Sequence, residues 1–477
     1  MILKKILLRI LIFVFFVSML FSCRKEPALL DKTSMLSFSS DSVLFDTVFT
    51  TVGSTTKQLK VYNHSNKKIL ISSIKLGKGQ SSNFKMNING TPAISLSNIE
   101  IAAKDSMYIF IKVTVDPNNQ NSPLVISDSI IFETNGKIQD VNLVAWGQDA
   151  YYYTPNTFIQ GFPAYSIINC NDTWTNDKPH VIYGWAVVDS ASTLTMQPGT
   201  RVYLHGNAVL WVFKDGTLKI NGTNDNPVTI QGDRLEQSYK DVPGQWGKIW
   251  LSAGSIDNEI NYAIIKNGTI GIQIDTLGNS SNPTLKLNNT IIKNMTVVGI
   301  YAQGTSLEAV NSVVANCGQY CVLLNIGGSY DFKQCTFANY WNYSTRGTPS
   351  LLLNNWYEDI YHNIQVRPLT KAYFGNCIIY GSNENEITFD HKYGGTFNYK
   401  FDNCIFKTYD TLNISSPVYY ENVYKNTDPQ FNDYAKNDYS LKSNSPAIDK
   451  GKDLGIPFDI TGTKARSNPP DIGAYEY

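Results

Sequence analysis

Aromatic, acidic and basic side chains concentrate in the interval between Cys335 and Cys377. Flat aromatic rings stack on sugar rings, and carboxylate and guanidinium groups bind hydroxyl or acidic groups. The interval is therefore predicted to bind carbohydrate through Trp341, Tyr343, Arg346, Trp356, Tyr357, Glu358, Asp359 and His362. Glu384 and Glu386 follow on the next turn and are candidates for the same groove. The alternative is that Trp341 and Trp356 fill the interior of the coil or pack a loop against it.

The cysteines show no metal-binding spacing. Cys317 and Cys321 lack a second cysteine pair or a nearby histidine, so no metal site is predicted there. Cys335, Cys377 and Cys404 share one position of the repeat described below, and they are predicted to stack as buried thiols. Disulfides between Cys317 and Cys321, or between Cys377 and Cys404, are the alternative in an exported protein. Cys170 has no assigned role.

Composition indicates which elements must position these residues. The chain has 477 residues, 42% hydrophobic and 17% charged, so it can form a sizeable core and more than one domain. Forty basic residues balance forty acidic ones, which excludes the positive surface of a general nucleic-acid-binding protein. The many Gly, Tyr, Asn, Ser, Thr, Ile and Val residues favour short strands and tight turns, so an all-β protein is predicted.

A short motif recurs in the second half of the chain: a small residue, two apolar or β-branched residues, any residue, and often Asn. It begins at Ala263, Thr290, Ser312, Cys335, Cys377 and Cys404. These positions differ by 27, 22, 23, 42 and 27 residues, and the interval of 42 is interpreted as two turns of about 21. The period predicts a coil of stacked short strands. Asn267, Asn294, Asn316 and Asn339 share one register and are predicted to hydrogen-bond along the stack.

Upstream segments pair a strand with a Gly or Pro corner, as in residues 194–202, 215–220 and 226–230 and in Gly244-Gln245-Trp246-Gly247. These segments closely resemble the entry turns of right-handed parallel β-helix proteins of the pectate-lyase-like fold. The resemblance implies a right-handed β-helix of about nine turns within residues 151–425.

The last residues carry a second resemblance. Ser445-Pro446-Ala447-Ile448-Asp449-Lys450-Gly451 and residues 470–477 are similar to the closing segment of secreted bacterial β-helix proteins. Residues 426–477 are therefore predicted to cap the end of the coil. Asp449, Asp453, Asp459 and Asp471 offer oxygen ligands for Ca²⁺, but hydrogen bonds from turn N–H groups to these carboxylates are preferred. No cofactor is predicted to be required.

Residues 36–147 carry the pattern of a separate β-domain. Met107, Ile109, Ile111, Val113 and Val115 alternate with more polar residues, which predicts one buried strand face. Similar runs occur at 43–48, 59–62, 69–76, 84–88, 129–133 and 141–145, so about seven strands are predicted. This spacing is typical of an immunoglobulin-like sandwich. Residues 53–63 are similar to bacterial domains of the ASH type, for which a spacer or docking role is expected.

The N-terminus has the features of a targeting segment. Three basic residues precede an apolar run of about a dozen residues ending at Phe21, so residues 1–22 are predicted to be a signal peptide. Leu20-Phe21-Ser22-Cys23 resembles the lipobox of bacterial lipoproteins, although Phe21 departs from the usual small residue. The resemblance implies lipidation of Cys23, a tether over residues 23–35, and attachment to an outer membrane. An ordinary cleaved signal or an uncleaved anchor is the alternative.

No catalytic residues are predicted from the sequence. Relatives with this coil include hydrolases with paired aspartates and a Gly-His-Gly triplet, and neither feature occurs here. A lyase would need an arginine beside an acidic cluster, and the nearest candidate is Arg367 with Lys371, whose spacing from Glu358 does not predict convergence. The preferred hypothesis is a lipid-anchored envelope protein whose coil offers an elongated surface for carbohydrate or another extended polymer, without turnover. A polysaccharide lyase and an adhesin or assembly scaffold are the alternatives.

Overall fold

The computed structural model describes residues 33–49, 54, 56–114 and 124–477. The predicted signal peptide, the lipid-attachment residue Cys23 and most of the predicted tether lie outside the described residues. The chain divides into two compact units, residues 1–149 and 150–477, which are described separately below. No helix among the described residues combines the length and apolar character of a membrane span.

The first unit is an immunoglobulin-like β-sandwich. Its described strands form two five-stranded sheets, ordered β1-β3-β8-β5-β6 and β2-β10-β9-β4-β7. The bounds are β1 Ser37–Phe38, β2 Ser42–Phe49, β3 Lys57–Tyr62, β4 Ile69–Leu76, β5 Phe84–Ile88, β6 Thr91–Ala93, β7 Ser95–Ile101, β8 Ser106–Val113, β9 Leu124–Thr134 and β10 Lys137–Gln148. A short 3₁₀ helix spans Gly79–Ser81.

Alternation along β8 builds the sandwich core as predicted. Met107, Ile109, Ile111 and Val113 are buried, whereas Tyr108 between them is 41% exposed. The prediction of about seven strands was too low. It missed β1, which is only two residues long, β6, which contains a proline, and β7, which is largely polar and exposed.

The second unit is a parallel β-helix, which confirms the predicted fold class. One 26-stranded sheet winds through it, and the strands pair in parallel with strands of the next turn. Its strands are β11 Tyr151–Tyr153, β12 Tyr165–Ile167, β13 Thr173–Trp174, β14 His180–Val188, β15 Thr193–Met196, β16 Arg201–Val212, β17 Thr217–Asn221, β18 Val228–Gly232, β19 Lys248–Leu251, β20 Asn258–Asn261, β21 Ala263–Lys266, β22 Ile270–Ile274, β23 Leu285–Asn288, β24 Ile291–Met295, β25 Val298–Val310, β26 Val313–Cys317, β27 Tyr320–Lys333, β28 Thr336–Asn339, β29 Leu351–Asn354, β32 Leu369–Gly375, β33 Ile378–Gly381, β34 Ile387–Asp390, β35 Lys400–Asp402, β36 Ile405–Phe406, β37 Tyr420–Glu421 and β38 Tyr424–Lys425.

Four further strands and two 3₁₀ helices complete the unit. A hairpin of β30 Trp356–Glu358 and β31 Ile364–Val366 projects from the coil, and β39 Phe431–Asp433 pairs with β40 Asp438–Leu441. The 3₁₀ helices are Gln237–Tyr239 and Tyr434–Lys436.

The predicted repeat register is correct. Ile265 pairs with Ile292, and Ile292 pairs with Val314, so the three residues lie over one another. The same column continues through the described residues in nine successive pairings that join His180, Val202, Ile230, Ile265, Ile292, Val314, Phe337, Ile379, Phe406 and Lys425.

The interval between Cys335 and Cys377 is one turn, and its interpretation as two turns of about 21 residues was wrong. β28 pairs directly with β33, so Thr336 lies beside Ile378. The additional residues form two loops, 340–350 and 355–368, on either side of β29. The repeat therefore keeps its register while the turn doubles in length.

The interior of the β-helix is apolar and stacked. The rings of Phe332, Phe374 and Phe401 lie over one another, with centroids 5.3 and 4.7 Å apart. Cys335, Cys377 and Cys404 are buried beside them as free thiols, and the backbone N–H of Cys377 lies 3.4 Å from the Cys404 sulfur. Cys317 and Cys321 are also buried and free, so neither disulfide alternative is present.

The predicted asparagine ladder is only partly bonded along the stack. The Asn294 side chain donates to the Asn267 side chain at 3.4 Å. The Asn339 side chain instead accepts from the Cys317 backbone, and the Asn316 side chain donates to Asn437. These asparagines thus hydrogen-bond to neighbouring backbone groups and side chains as well as to one another along the stack.

The C-terminal segment packs along the flank of the coil, a different place from the predicted end cap. Its Ile460, Ile472 and Ala474 pack in one buried cluster with the outward residues Val313 and Ile378, which lie two turns apart. The reason is a second column of corner residues with left-handed backbone, which donate side-chain hydrogen bonds to carbonyls of residues 450–460. These are Asn289, Asn311, Asn376 and Asn403, with φ between 48° and 51°.

The aspartates of this segment tie its turns together. Asp471 accepts hydrogen bonds from the backbone N–H groups of Asp449 and Tyr477 at 2.8 and 2.7 Å. Asp459 accepts from Thr461, and Asp453 accepts from Gly455. Among the described residues, no group of His, Cys, Asp and Glu side chains has an arrangement that could hold a metal ion.

His180, in the first turns of the coil, predicts a pH dependence of stability. Its ring stacks on Trp174 at 4.4 Å and its Nδ1 lies 3.0 Å from the Tyr153 hydroxyl. Burial lowers the pKa of His180 to about 4. The unfolded chain binds a proton below its ordinary pKa of about 6.5 while the folded chain does not, so stability present above pH 6.5 is lost as pH falls towards 4.

The expected loss is roughly 3 kcal/mol of unfolding free energy across that window. Urea denaturation at pH 7 and at pH 4.5 measures it. His180→Gln, which cannot titrate, should lose clearly less stability between the two values than the native chain. Equal losses would show that His180 is not held neutral by the fold.

Candidate functional site

A ladder of polar and aromatic side chains runs along one outer face of the β-helix. It is built by a second repeated pattern in the sequence. Each strand ends with an apolar residue, any residue, a second apolar residue and a polar residue. Successive turns supply Ile272-Gln273-Ile274-Asp275, Ile300-Tyr301-Ala302-Gln303, Val322-Leu323-Leu324-Asn325, Leu351-Leu352-Leu353-Asn354 and Ile387-Thr388-Phe389-Asp390. The apolar residues face the core, so the second and fourth residues of each set point outward. We call the outward residues of these strands, together with Trp211 and Trp250, the outer ladder.

Hydrogen bonds connect the outer ladder from turn to turn. The Asp275 carboxylate accepts from Trp250 Nε1 at 2.6 Å, from Gln273 at 2.9 Å and from Gln303 at 2.8 Å. The Tyr301 hydroxyl donates to Gln303 at 2.7 Å. These bonds fix the rotamers of long side chains that would otherwise be mobile, so the face is pre-organised.

Three tryptophans form the start of the outer ladder. Trp211 and Trp250 pair in adjacent strands and stack at 5.2 Å, and Trp185 meets both edge-on at 5.6 and 5.8 Å. The ammonium of Lys248 lies 4.5 Å from the Trp250 ring centroid and donates to Gln273. The three rings are partly exposed, so this end of the ladder offers aromatic surface to solvent.

A cleft with a volume of about 560 Å³ lies at the corner that follows the outer ladder. Pockets of this size are typical of sites for small molecules or single polymer units. It is lined by Thr276, Leu277, Gly304, Thr305, Ile326, Gly328, Ser329, Tyr357, Arg367, Pro368 and Thr370. The residues come from the turns that end in Asp275, Gln303 and Asn325 and from the loop 355–368, so the cleft and the ladder are continuous.

One residue that lines this cleft has a strained backbone conformation. Ile326 has φ of +63°, a left-handed conformation that a β-branched residue rarely adopts. Its N–H group donates to the Asn354 side chain at 3.2 Å, which holds the strained corner in place. Such strain costs on the order of 1–3 kcal/mol and is concentrated at ligand sites in proteins.

Arg367 supplies a cation to the cleft. Its guanidinium donates to the Tyr357 hydroxyl at 3.2 Å and to the Val366 carbonyl at 3.1 Å, and it lies over the Tyr357 ring. Neither partner is anionic, and Arg367 has no carboxylate partner among the described residues. The guanidinium is therefore available to hydroxyl or acidic groups of a ligand.

Two of the predicted carbohydrate-binding residues join this site. Trp356 Nε1 donates to Asp390 at 3.0 Å, and Lys392 lies over its ring at 5.0 Å, so Trp356 extends the outer ladder. Tyr357 lines the cleft. Both are partly exposed, and neither fills the interior as the alternative proposed for Trp356.

Glu358, Asp359 and His362 lie at the exposed tip of the β30–β31 hairpin, away from the outer ladder's bonded side chains. Glu358 and His362 pair with each other. Asp359 accepts from the N–H groups of Tyr361 and Asn363 and closes the turn, and the bond from Asn363 lowers the pKa of its carboxyl. These contacts stabilise the turn of the hairpin. The three residues are connected to the cleft through the same hairpin, which also carries Tyr357.

Trp341, Tyr343 and Arg346 belong to the other loop, 340–350, and the structure does not bring them into the cleft. Trp341 is 9% exposed, bonded to Ser344 and close to Gly318, so its ring packs the loop against the coil, in line with the alternative. Tyr343 is 53% exposed and donates to the Asp241 carbonyl. One continuous surface for all eight predicted residues does not exist, because β29 separates the two loops.

Arg346 was wrongly placed on the binding surface. It is buried, and its guanidinium makes two bonds of 2.8 and 2.6 Å with the carboxylate of Glu386. Glu386 is also buried and accepts from Ser350 and Asn383, which fixes the start of the long turn. Glu386 is therefore not a groove residue, and Glu384 remains exposed on the same turn.

The acidic and basic groups named for a lyase do not converge. Lys371 pairs with Asp331 at 2.5 Å, whereas Arg367 points to Tyr357. Within the outer ladder, Asp275 and Asp390 are four turns apart, about 19 Å at the spacing of parallel strands. A pair of glycosidase carboxylates lies only about 5–9.5 Å apart, so these two cannot act on one glycosidic bond.

The residues that sequence reasoning missed are Trp211, Trp250, Gln273, Asp275, Tyr301, Gln303 and Asn325. Their signal was present in the repeated strand ending of apolar, any, apolar, polar. This pattern lies on a different strand of each turn from the motif that begins at Ala263 and its equivalents.

No protein-family model matches the chain, and no curated protein matches it. Among solved structures, the chain is similar to the VesB protease of Vibrio cholerae, with 10% identity, a TM-score of 0.17, and 24% of this chain and 32% of that chain covered. It is similar to the ASH/PapD-like domain of human CEP192, with 9% identity, a TM-score of 0.18, and 27% and 94% covered. It is also similar to a family 123 glycoside hydrolase from Clostridium perfringens, with 10% identity, a TM-score of 0.17, and 25% and 30% covered.

The chain spans about a third of the length of the VesB protease structure. Similarities of this size carry no argument about function. The class is therefore defined by the fold and its outer face: an all-β protein that joins an immunoglobulin-like sandwich to a parallel β-helix with a bonded aromatic and polar ladder.

Proposed function

We propose that this protein binds a polysaccharide along the outer ladder of its β-helix. The observation that carries the proposal is the run of outward aromatic, amide and carboxylate groups from Trp250 to Gln303, held in place by mutual hydrogen bonds. On the next turns the column continues with the outward Leu323 and Leu352 beside Asn325 and Asn354. Aromatic faces suit sugar rings, and amides and carboxylates suit hydroxyl groups. A polymer with a repeating unit is the ligand that a repeating surface fits.

The length of the ladder supports an extended ligand. From Trp211 to Thr388 the outward column makes six steps between turns, about 29 Å at the spacing of parallel strands. A monosaccharide would use only one or two of these positions. The cleft at Tyr357 and Arg367 would hold one unit or a branch of the same chain.

Binding without turnover is preferred over a lyase because Lys371 is paired with Asp331 and Arg367 has no ion-pair partner among the described residues. An adhesin or assembly scaffold is less favoured, since the outward Leu323 and Leu352 adjoin hydrogen-bonded polar groups on the ladder, whereas the cores of protein interfaces are more apolar.

We further propose that the chain is held at an outer membrane by a lipid on Cys23, with the sandwich as a spacer. The basic residues before the apolar run and Leu20-Phe21-Ser22-Cys23 support this assignment. Metabolic labelling with an alkyne fatty acid tests it, since Cys23→Ser should abolish the label.

Binding to an array of bacterial and host polysaccharides tests the main proposal. The native chain should bind at least one polysaccharide, and Trp356→Ala with Tyr357→Ala should weaken that binding at least tenfold. Tyr343→Ala, an exposed tyrosine in the other loop, is the matched control and should bind normally. Unchanged binding by the double variant would remove the cleft from the proposal.

The same array tests the lyase alternative. Elimination from a uronate polymer creates an unsaturated product that absorbs in the ultraviolet. With Ca²⁺ added, we expect no such absorbance from any polymer that binds. Its appearance would favour the enzyme over the binding protein.

A further inference from the structure

Two stacked lysines, with a third on a neighbouring loop, lie at a corner of the β-helix that the outer ladder does not use. Lys266 ends β21 and Lys293 lies in β24, and the two are paired in register on adjacent turns. Ile265 and Ile292, which precede them, point into the core, so both lysines point outward. Like charges directly opposite on neighbouring strands repel, and this arrangement is destabilising without a counter-charge.

The third lysine belongs to the loop that follows the 3₁₀ helix Gln237–Tyr239. The Lys240 carbonyl accepts from the Lys266 ammonium at 3.0 Å and from the Asn267 side chain at 2.9 Å. Tyr343 from the loop 340–350 donates to the Asp241 carbonyl at 2.9 Å. The loop is thus fastened over the two stacked lysines and encloses the corner.

The negative charge at this corner does not balance the positive charge of the lysines. Asp241 is the acidic residue that acts on both stacked lysines, and its carboxylate is 4.0 Å from the Lys266 ammonium. The Lys293 ammonium has no hydrogen-bond or ion-pair partner among the described residues. The stacked Lys266 and Lys293 therefore share one carboxylate, and the exposed Lys240 side chain adds a third positive charge nearby, which leaves a net charge of about +2.

Burial makes the unbalanced positive charge more unfavourable. The Lys266 side chain is 14% exposed. Loss of solvent lowers the pKa of both Lys266 and Lys293, and only the attraction of Asp241 opposes that shift among the acidic groups. A bound dianion would remove this cost by supplying the missing acceptors and charge.

We propose that the corner formed by Lys266 and Lys293, beside Lys240, binds a doubly charged oxyanion, either free phosphate or sulfate or a phosphate monoester. Lys293 and Lys266 hold it from the two turns, and the exposed Lys240 adds positive charge from the neighbouring loop. The inference is independent of the polysaccharide proposal, because it concerns a different corner of the coil and different residues.

Titration calorimetry of the full chain tests it, with inorganic phosphate, inorganic sulfate and glucose 6-phosphate as separate probes in a chloride buffer of constant ionic strength. We expect saturable binding of at least one probe. Lys293→Met should raise its dissociation constant at least tenfold. Lys286→Met, a partly exposed lysine next to Glu259 on another sheet, should leave it unchanged. Preference for glucose 6-phosphate would identify an esterified ligand, and preference for an inorganic ion a free one.

A measurement on the native chain covers the case in which Lys293→Met does not fold. Phosphate should slow acetylation of Lys266 and Lys293 by acetic anhydride at least threefold, as read by peptide mass spectrometry, while Lys286 reacts at an unchanged rate. Absence of heat with all three probes, or equal protection of these lysines by chloride, would overturn the proposal.

Discussion

Replacing Arg346 with methionine is expected to lower the free energy of unfolding of the β-helix unit by about 3–5 kcal/mol. The side chains of Arg346 and Glu386 are 1% and 0% exposed, and they form a bidentate pair. Removing the arginine leaves a carboxylate in the interior with no cation, which costs far more than the pair itself contributes. Urea denaturation followed by circular dichroism measures the change.

Two further variants separate a buried charge from simple loss of contact. Arg346→Met combined with Glu386→Leu should recover most of the stability, because no charge then remains buried. Lys219→Met removes the exposed pair with Glu259, at 3.1 Å, and should cost less than about 1 kcal/mol. If Arg346→Met lowered the free energy of unfolding no more than Lys219→Met, the Arg346–Glu386 pair would be solvent-exposed. Arg346 would then be a surface residue, as the sequence predicted.

The second large effect is expected on ligand affinity. Tyr301→Ala and Trp250→Ala should each weaken binding of the identified polysaccharide by about 2 kcal/mol, roughly thirtyfold in Kd. Both side chains present aromatic surface, and both bond to the Gln303–Asp275 network, so each change also loosens its neighbours. Surface plasmon resonance with immobilised polysaccharide measures the change.

Chain length provides the control for this prediction. Affinity for the native chain should rise with oligosaccharide length until the ladder is spanned. The Trp250→Ala penalty should appear only for oligomers long enough to reach Trp250 from the cleft. An equal penalty for a disaccharide and for the polymer would mean that the ladder acts as a single small site.

The stacking of the coil was predictable from the sequence because its signal is local and periodic. Ile265, Ile292 and Val314 occupy the same place in three similar segments, and the strands pair accordingly. The long turn was misjudged for the same reason: 42 residues is a multiple of a short period, and a count cannot distinguish two turns from one turn with two inserted loops. Only the pairing of Thr336 with Ile378 decides this.

The site was predictable only where its residues are close in sequence. Trp356 and Tyr357 were found because they lie in one aromatic segment. Tyr301 and Asp275 are on different turns and become neighbours only through the register of the stack. Arg346 was misassigned because its partner Glu386 is 40 residues away, and its burial follows from that distant contact.

The most direct test of the proposed binding face is hydroxyl-radical footprinting of the chain with and without the polysaccharide that it binds. We predict protection of Trp211, Trp250, Tyr301 and Trp356 together, with Tyr343 as reactive in the complex as in the free chain. Protection of Tyr343 or of the sandwich, with the four outer-ladder residues unchanged, would contradict the assignment of this face to the ligand.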